Sequence, residues 1–272
     1  MFAGFNLKLD ADFFVNKEKS FEEYKEIGKK HLEQHTCNVD KELEKYITNN
    51  VIDGARMQEE WFPQVKADIF LSHSSHDKEL VNAIAGWIYN TFGLTCFIDS
   101  NVWDYAGRLA ETLNEKYSNK REDGKGGYLY NHKSCLKVSE HINSMLNIAL
   151  YKMIDKCECI ILINTENSIN ISNDGKSLDK TYSPWIYSEL VCSKIVRTKS
   201  LDHYRQHNLL KNSIYESSSY IPILHTTPTD HLIKICGDDL EKWNERYREK
   251  KEYLLPLDYL YIEHLKNEEN EY

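Results

Sequence analysis

The stretch Cys157 to Asn164, CECIILIN, decides the fold. Its centre is an unbroken apolar run of strand length, and a strand without polar alternation is one covered on both faces, as in a parallel sheet. Upstream, Ala67 to Ser72 (ADIFLS) has the same texture, and the polar loop His73 to Asp77 (HSSHD) after it can cap a helix. That helix sets Leu80, Ile84, Trp87 and Ile88 on one face and stops at Gly93, the residue suited to a left-handed cap. Leu94 to Ile98 reads as a further strand ending at Asp99. Strand, helix and strand thus follow one another within about 30 residues, one βαβ unit.

Outward from this unit, Val138 to Lys156 reads as the helix entering the 157–164 strand. Ser183 and Pro184 start another that runs to about Arg197, serine as cap and proline in the first turn, where its missing N–H costs nothing. Ser219 to Leu224 (SYIPIL) is expected as a strand, with Pro222 placing it at an edge or irregular position. A helix over Leu240 to Lys250 and an aromatic tail around Tyr259 to Ile262 close the chain. Before the unit, Ser20 to about Met57 reads as two amphipathic helices, ended by Trp61, Phe62 and Pro63. Ser100 to Lys137, with Gly124, Gly126 and Gly127, interrupts the alternation and is expected to be an insertion with a mobile part, a lid or assembly surface.

The pattern defines an α/β protein with a parallel, doubly wound sheet whose site lies at the carboxyl ends of the strands. The expected division is a helical amino-terminal extension over 1–65, the α/β domain over 66–225 with insertions near 100–137 and 197–218, and a helical segment over 226–272.

Composition narrows the function. With 41% hydrophobic and 28% charged residues the 272-residue chain can bury a core under a heavily solvated surface. Its net charge of −9 and the lack of a long basic run exclude nucleic acid as a default partner. No apolar stretch approaches the roughly 18 residues that span a bilayer, and the first residues lack a signal pattern, so a soluble cytoplasmic protein is expected, with no membrane partner. Seven cysteines, an odd number set largely in apolar runs, read as reduced thiols. Cys157 and Cys159 form a lone C-x-C pair, so no metal site is expected. Gly175, Lys176 and Ser177 resemble the end of a phosphate loop, but Asn170 stands where its first glycine is needed. His31 and His35 have helical metal spacing without the glutamate placement of a zinc protease, and are read as exposed.

Chemistry collects at the strand ends, where His73 to Asp77, Asp99 to Trp103 and the start of the Pro184 helix should converge. Glu189 stands out. On an ideal helix it lies about 40° from Trp185 and about 20° from Val196, inside a largely apolar stripe with Cys192. A lone carboxylate there is costly unless paired or used, and periodicity leaves both readings open: a salt bridge or loop cap at the sheet edge, or a catalytic group.

ADIFLSHSSHD, FIDS, CECIILINTENS, SPWIYSEL and YIPIL occur in an order and spacing that resemble the bacterial Toll/interleukin receptor (TIR) domain, over about Lys66 to His225. The resemblance implies a flavodoxin-like doubly wound sheet and an enzyme that cleaves NAD, with NAD as substrate and no cofactor. The family's W-x-x-x-E motif falls on Trp185 and Glu189, which makes Glu189 the implied catalytic carboxylate and Trp185 its neighbour at the substrate. Ser74 and Ser75 fall where the family's first loop meets dinucleotide, with His73 before them, and Asp99 falls beside the pocket. Ser and Asp after a strand are also ordinary caps and turn formers. Trp103 could stack on an adenine or pack the insertion down. The sequence departs from receptor-type members in reading DSNVWDYAGRL where they carry a Pro-Gly turn.

By the same resemblance the chain looks like the signal-generating subunit of a Thoeris-type anti-phage system. That implies self-association through TIR domains, a phage-derived trigger and a downstream effector that senses a nucleotide. The product would be ADP-ribose or a cyclic or conjugated form of it. Two other readings stay open, a non-enzymatic TIR interaction module and a nucleoside deoxyribosyltransferase-like enzyme.

Overall fold

The computed structural model describes residues 1–33, 46–48, 51–99, 106–124, 126–169, 179–206, 225–250 and 254–265. In chain order the main elements are β1 (Ala3–Lys8), α1 (Phe21–Glu33), α2 (Gly54–Trp61), β2 (Ile69–Ser72), α3 (Lys78–Phe92), β3 (Cys96–Phe97), α4 (Ala106–Tyr117) and α5 (His132–Lys156). They continue with β4 (Cys159–Ile163), α6 (Pro184–Ile195), β5 (Ile233–Cys236), α7 (Gly237–Lys250) and α8 (Pro256–Leu265).

The five strands form one parallel sheet in the order β5-β1-β4-β2-β3. All five residues of β4 are buried, as its apolar run requires. Strand alternation divides the core in two. Phe70, Phe97, Ile160 and Leu162 join a cluster with residues of α2, α4, α5 and α6, while Phe5, Leu7, Ile69, Leu71, Ile161 and Ile163 join one with α1, α3, α7 and α8. Adjacent strands β2 and β4 therefore send their following helices, α3 and α6, to opposite faces. The crevice between their carboxyl ends is a topological switch point, where doubly wound sheets take ligands.

Local chemistry explains the helix ends. Ser183 accepts from the Ile186 N–H ahead of Pro184, Asp53 caps α2 through Arg56 N–H, Asn131 caps α5 through Ser134 N–H, and Gly93 ends α3 in the left-handed conformation.

The sequence-derived boundaries at 65 and 226 do not separate domains. Residues 3–8, assigned to a helical extension, form the interior strand β1, and the carboxyl-terminal segment supplies edge strand β5. AGFNLK hides as a strand because Gly4 and Asn6 are residues that strands disfavour. Gly4 packs closely, and a Cβ there would press on the side chains of Leu232 and Ile160. Both edges of β4 are occupied, by β1 and β2. The strand expected over Ser219 to Leu224 lies outside the described residues.

Three local readings also change. Of the second amphipathic helix expected before Met57, Ile47–Thr48 and Val51–Ile52 form an antiparallel pair instead, in keeping with their β-branched side chains. The glycine cluster of the 100–137 insertion is a hairpin turn between Arg121–Glu122 and Tyr128–Leu129, with Gly124 and Gly126 at positive φ, and α4 precedes it. His31 is half-buried and stacks on Tyr89, ring centroids 4.0 Å apart. Among the described residues no helix is long and apolar enough to cross a membrane.

Helices α1 and α3 cross at two glycines. A Cβ on Gly86 would strike the carbonyl of Tyr24, and one on Gly28 that of Asn82. Backbone cannot yield as a side chain tip can, so Gly86→Ala should cost about 1–3 kcal/mol. Gly54→Ala, where a Cβ meets nothing within 4 Å, should leave stability unchanged or raise it slightly. Urea unfolding of both variants checks the contrast, and equal stabilities would show that the crossing is not tight.

Candidate functional site

Ser72 is the last residue of β2 and shares its sheet face with Phe70, toward α6. Its fully buried hydroxyl donates to Glu189 Oε2 at 2.5 Å. Glu189 sits in the second turn of α6 between core residues Ile186 and Leu190, and is itself only 2% exposed. Burial drives the Glu189 carboxyl well above its ordinary range, the negative charge of Asp99 pushes the same way, and the Ser72 hydrogen bond opposes both. The first two causes dominate, and at neutral pH the group holds its proton far more readily than a free glutamate.

His73 turns its ring back on the strand end. Its side chain is 1% exposed, and Nδ1 lies 3.1 Å from the Leu71 carbonyl and 3.4 Å from Asp99 Oδ1. A carbonyl can only accept, so Nδ1 carries hydrogen toward both oxygens. His73 thereby holds Asp99, at the end of β3, beside the end of β2.

A second network ties the loops. Asp77, 8% exposed, accepts from Thr165 Oγ1 at 2.5 Å and from Asn167 Nδ2 at 2.7 Å, which joins the loop after β2 to the loop after β4. Farther along the edge, Asn164 Nδ2 donates to Asn6 Oδ1 at 2.9 Å and Asn164 N–H to the Leu7 carbonyl at 2.8 Å. Three strand ends are thus fixed relative to one another by polar contacts.

The sequence-expected residues divide between roles. Glu189, Asp99 and His73 come together around Ser72. Trp185, one turn before Glu189, is half-buried and packs against the core cluster beneath α6. Ser74 accepts from the His76 N–H as the cap of a short 3-10 turn, and Ser75 is exposed beside it. Trp103 lies outside the described residues. Sequence reasoning missed Ser72, Asn6 and Asn164, and gave Asp77 only as the end of a converging loop. Alternation through ADIFLS would have set Ser72 on one face with Phe70, but nothing in the sequence says that Glu189 hangs over that face.

The site has no set of metal donors: among the described residues no three His, Cys, Asp or Glu side chains group as ligands. The buried thiols of Cys96, Cys157 and Cys159 are all pushed upward by burial, Cys157 to about 12, which makes them poor nucleophiles and ligands. Two cavities, of about 480 Å³ beside Leu9, Phe14 and Leu80 and about 230 Å³ beside Tyr24, Asn244 and Arg248, lie apart from Glu189. Comparison with protein-family models, with curated proteins and with solved structures returns no match to this chain.

The raised Glu189 carboxyl has a thermodynamic consequence. Above the ordinary glutamate range the unfolded chain has released this proton while the folded chain keeps it, so folding stability falls as pH rises, by about 1.4 kcal/mol per pH unit for one whole proton. Glu189→Gln removes that dependence and keeps an oxygen for Ser72. Its stability relative to wild type should rise as pH increases above the ordinary glutamate range. Parallel stability–pH curves for the two proteins, read from denaturation, would show a carboxyl that ionises freely.

Proposed function

We propose that this chain is a TIR-type enzyme on a flavodoxin-like sheet that cleaves the nicotinamide–ribose bond of NAD, with Glu189 as its catalytic carboxylate. The observation that carries the reading is a buried glutamate, hydrogen-bonded to Ser72 and facing the charge of Asp99, at the switch point of a parallel doubly wound sheet. Four of the five sequence blocks that carry the resemblance lie at or beside β2, β3, β4 and α6, which supports the reading.

The chemistry suits one carboxylate. The bond between ribose C1′ and the pyridinium nitrogen breaks with its electron pair going to nitrogen, and nicotinamide leaves neutral without a general acid. Positive charge develops on the ribose, and a carboxylate fixed beside the ribose hydroxyls stabilises it more than it stabilises the ground state. Water or another nucleophile then adds to C1′ and loses its proton, giving ADP-ribose or a cyclic or conjugated product. A Glu189 carboxyl pushed upward at rest fits this sequence. The cationic pyridinium brings positive charge to Asp99 and Glu189 together, offsets their repulsion and favours the ionised Glu189, whose proton passes to water as the substrate seats.

In the cell the proposed role is production of a nucleotide signal in anti-phage defence, by chains that self-associate. Glu189→Gln should retain the fold and lose about a hundredfold to a thousandfold in nicotinamide release, the scale for removing one electrostatic stabiliser. A folded Glu189→Gln protein that works at the wild-type rate would sink the reading, and activity that tracks only the folded fraction would make Glu189 a structural acid.

The neighbours should shift the acid limb of the pH–rate profile in opposite directions. Asp99→Asn removes a repelling charge and moves that limb to lower pH, whereas Ser72→Ala removes a bond that favours the ionised form and moves it to higher pH. Shifts of one sign for both variants would mean that Glu189 is not the titrating base.

A further inference from the structure

We infer that the paired side chains of Asn6 and Asn164 form a subsite for a primary carboxamide, and that they select the amide-bearing base of the substrate. The inference rests on the NAD reading for its substrate but on separate residues for its geometry.

Asn6 lies in β1, an interior strand whose neighbours in the sheet are β4 and β5. Such a strand calls for apolar residues, yet Asn6 is only 5% exposed. It shares a face with Gly4, whose missing Cβ would meet Leu232 and Ile160 of the core cluster under α6. Asn6 is therefore on the Glu189 side of the sheet. Asn6 pairs in register with Leu162, and Leu162 with Ser72. One row across three strands thus runs from Asn6 to the residue that holds Glu189, about 10 Å between the outer two backbones at two strand spacings.

The hydrogen bonding decides what the pair can recognise. Asn164 Nδ2 donates to Asn6 Oδ1, and among the described residues neither side chain has another partner. That leaves Asn6 Nδ2 as donor and Asn164 Oδ1 as acceptor on the two bonded amides. If both amides were turned over, the pair would still offer one donor and one acceptor. A primary carboxamide is the matching partner, its oxygen accepting from one asparagine and its NH2 donating to the other. A carboxylate can use only the donor and would set its charge against the acceptor oxygen. Sites built to hydrogen-bond one polar group reject the isostere that leaves them unpaired. With Glu189 at the ribose and Asn6 two strands along the row from Ser72, the carboxamide of a nicotinamide ring is the group the pair would take.

The test compares NAD with nicotinic acid adenine dinucleotide, identical except for a carboxylate in place of the carboxamide, in wild type, Asn6→Ala and Asn164→Ala, with folding followed by circular dichroism. Wild type should favour NAD at least tenfold in kcat/KM. Either variant should lose most of that preference mainly through NAD. An unchanged preference in both folded variants overturns the subsite and leaves Glu189 chemistry standing. Binding of free nicotinamide and nicotinate by calorimetry separates the two proposals. If neither dinucleotide is cleaved, a nicotinamide preference that Asn164→Ala abolishes supports the subsite alone, and equal or absent binding of both overturns it. Should Asn6→Ala fail to fold, Asn164→Ala, at a half-buried position beyond the end of β4, decides the outcome by itself.

Discussion

Strand β4 is buried on both faces and hydrogen-bonded along both edges, and the other layers are arranged around that constraint. A peptide group in such a strand has no water to turn to, so β1 pairs with it from Cys159 to Ile163 and β2 from Cys159 to Leu162. Its side chains alternate between two cores, and each core needs its own helices. The helices leaving β2 and β4 then diverge to opposite faces, and the crevice follows from that divergence.

The polar edge is organised against the cost of the same burial. Asp77 accepts from Thr165 and Asn167, Asp99 lies against His73, and the Oδ1 of Asn6 accepts from Asn164. Glu189 receives one hydroxyl and a like charge. Burial and that charge disfavour its ionised form, which is the condition under which a carboxyl responds most strongly to an arriving cation. An apolar side chain here would avoid that cost, as the buried neighbours Ile186 and Leu190 do.

Much of the frame was legible because the signals were local. The apolar run of CECIILIN, the cap and proline of SPWIYSEL, and Gly93 after an amphipathic face each act through their own few residues, and each appears as read. The stripe that singled out Glu189 was equally local. β1 was not legible, because Gly4 and Asn6 answer to Leu232, Ile160 and Asn164, which are distant in sequence. The hairpin at Gly124 and Gly126 was read as a loose segment, since positive φ serves a tight turn and a hinge alike.

By itself the sequence determined the α/β class, the burial of the central strand and the helix that carries Glu189, all consequences of side-chain periodicity and end-capping. Only the tertiary structure decided which strand lies beside β4, that Ser72 and Asp99 are the groups facing Glu189, and that Asn6 and Asn164 meet. The physical reason is that periodicity states which face a residue occupies, whereas hydrogen bonds and charge coupling depend on what is packed opposite, and that partner comes from strands far away along the chain.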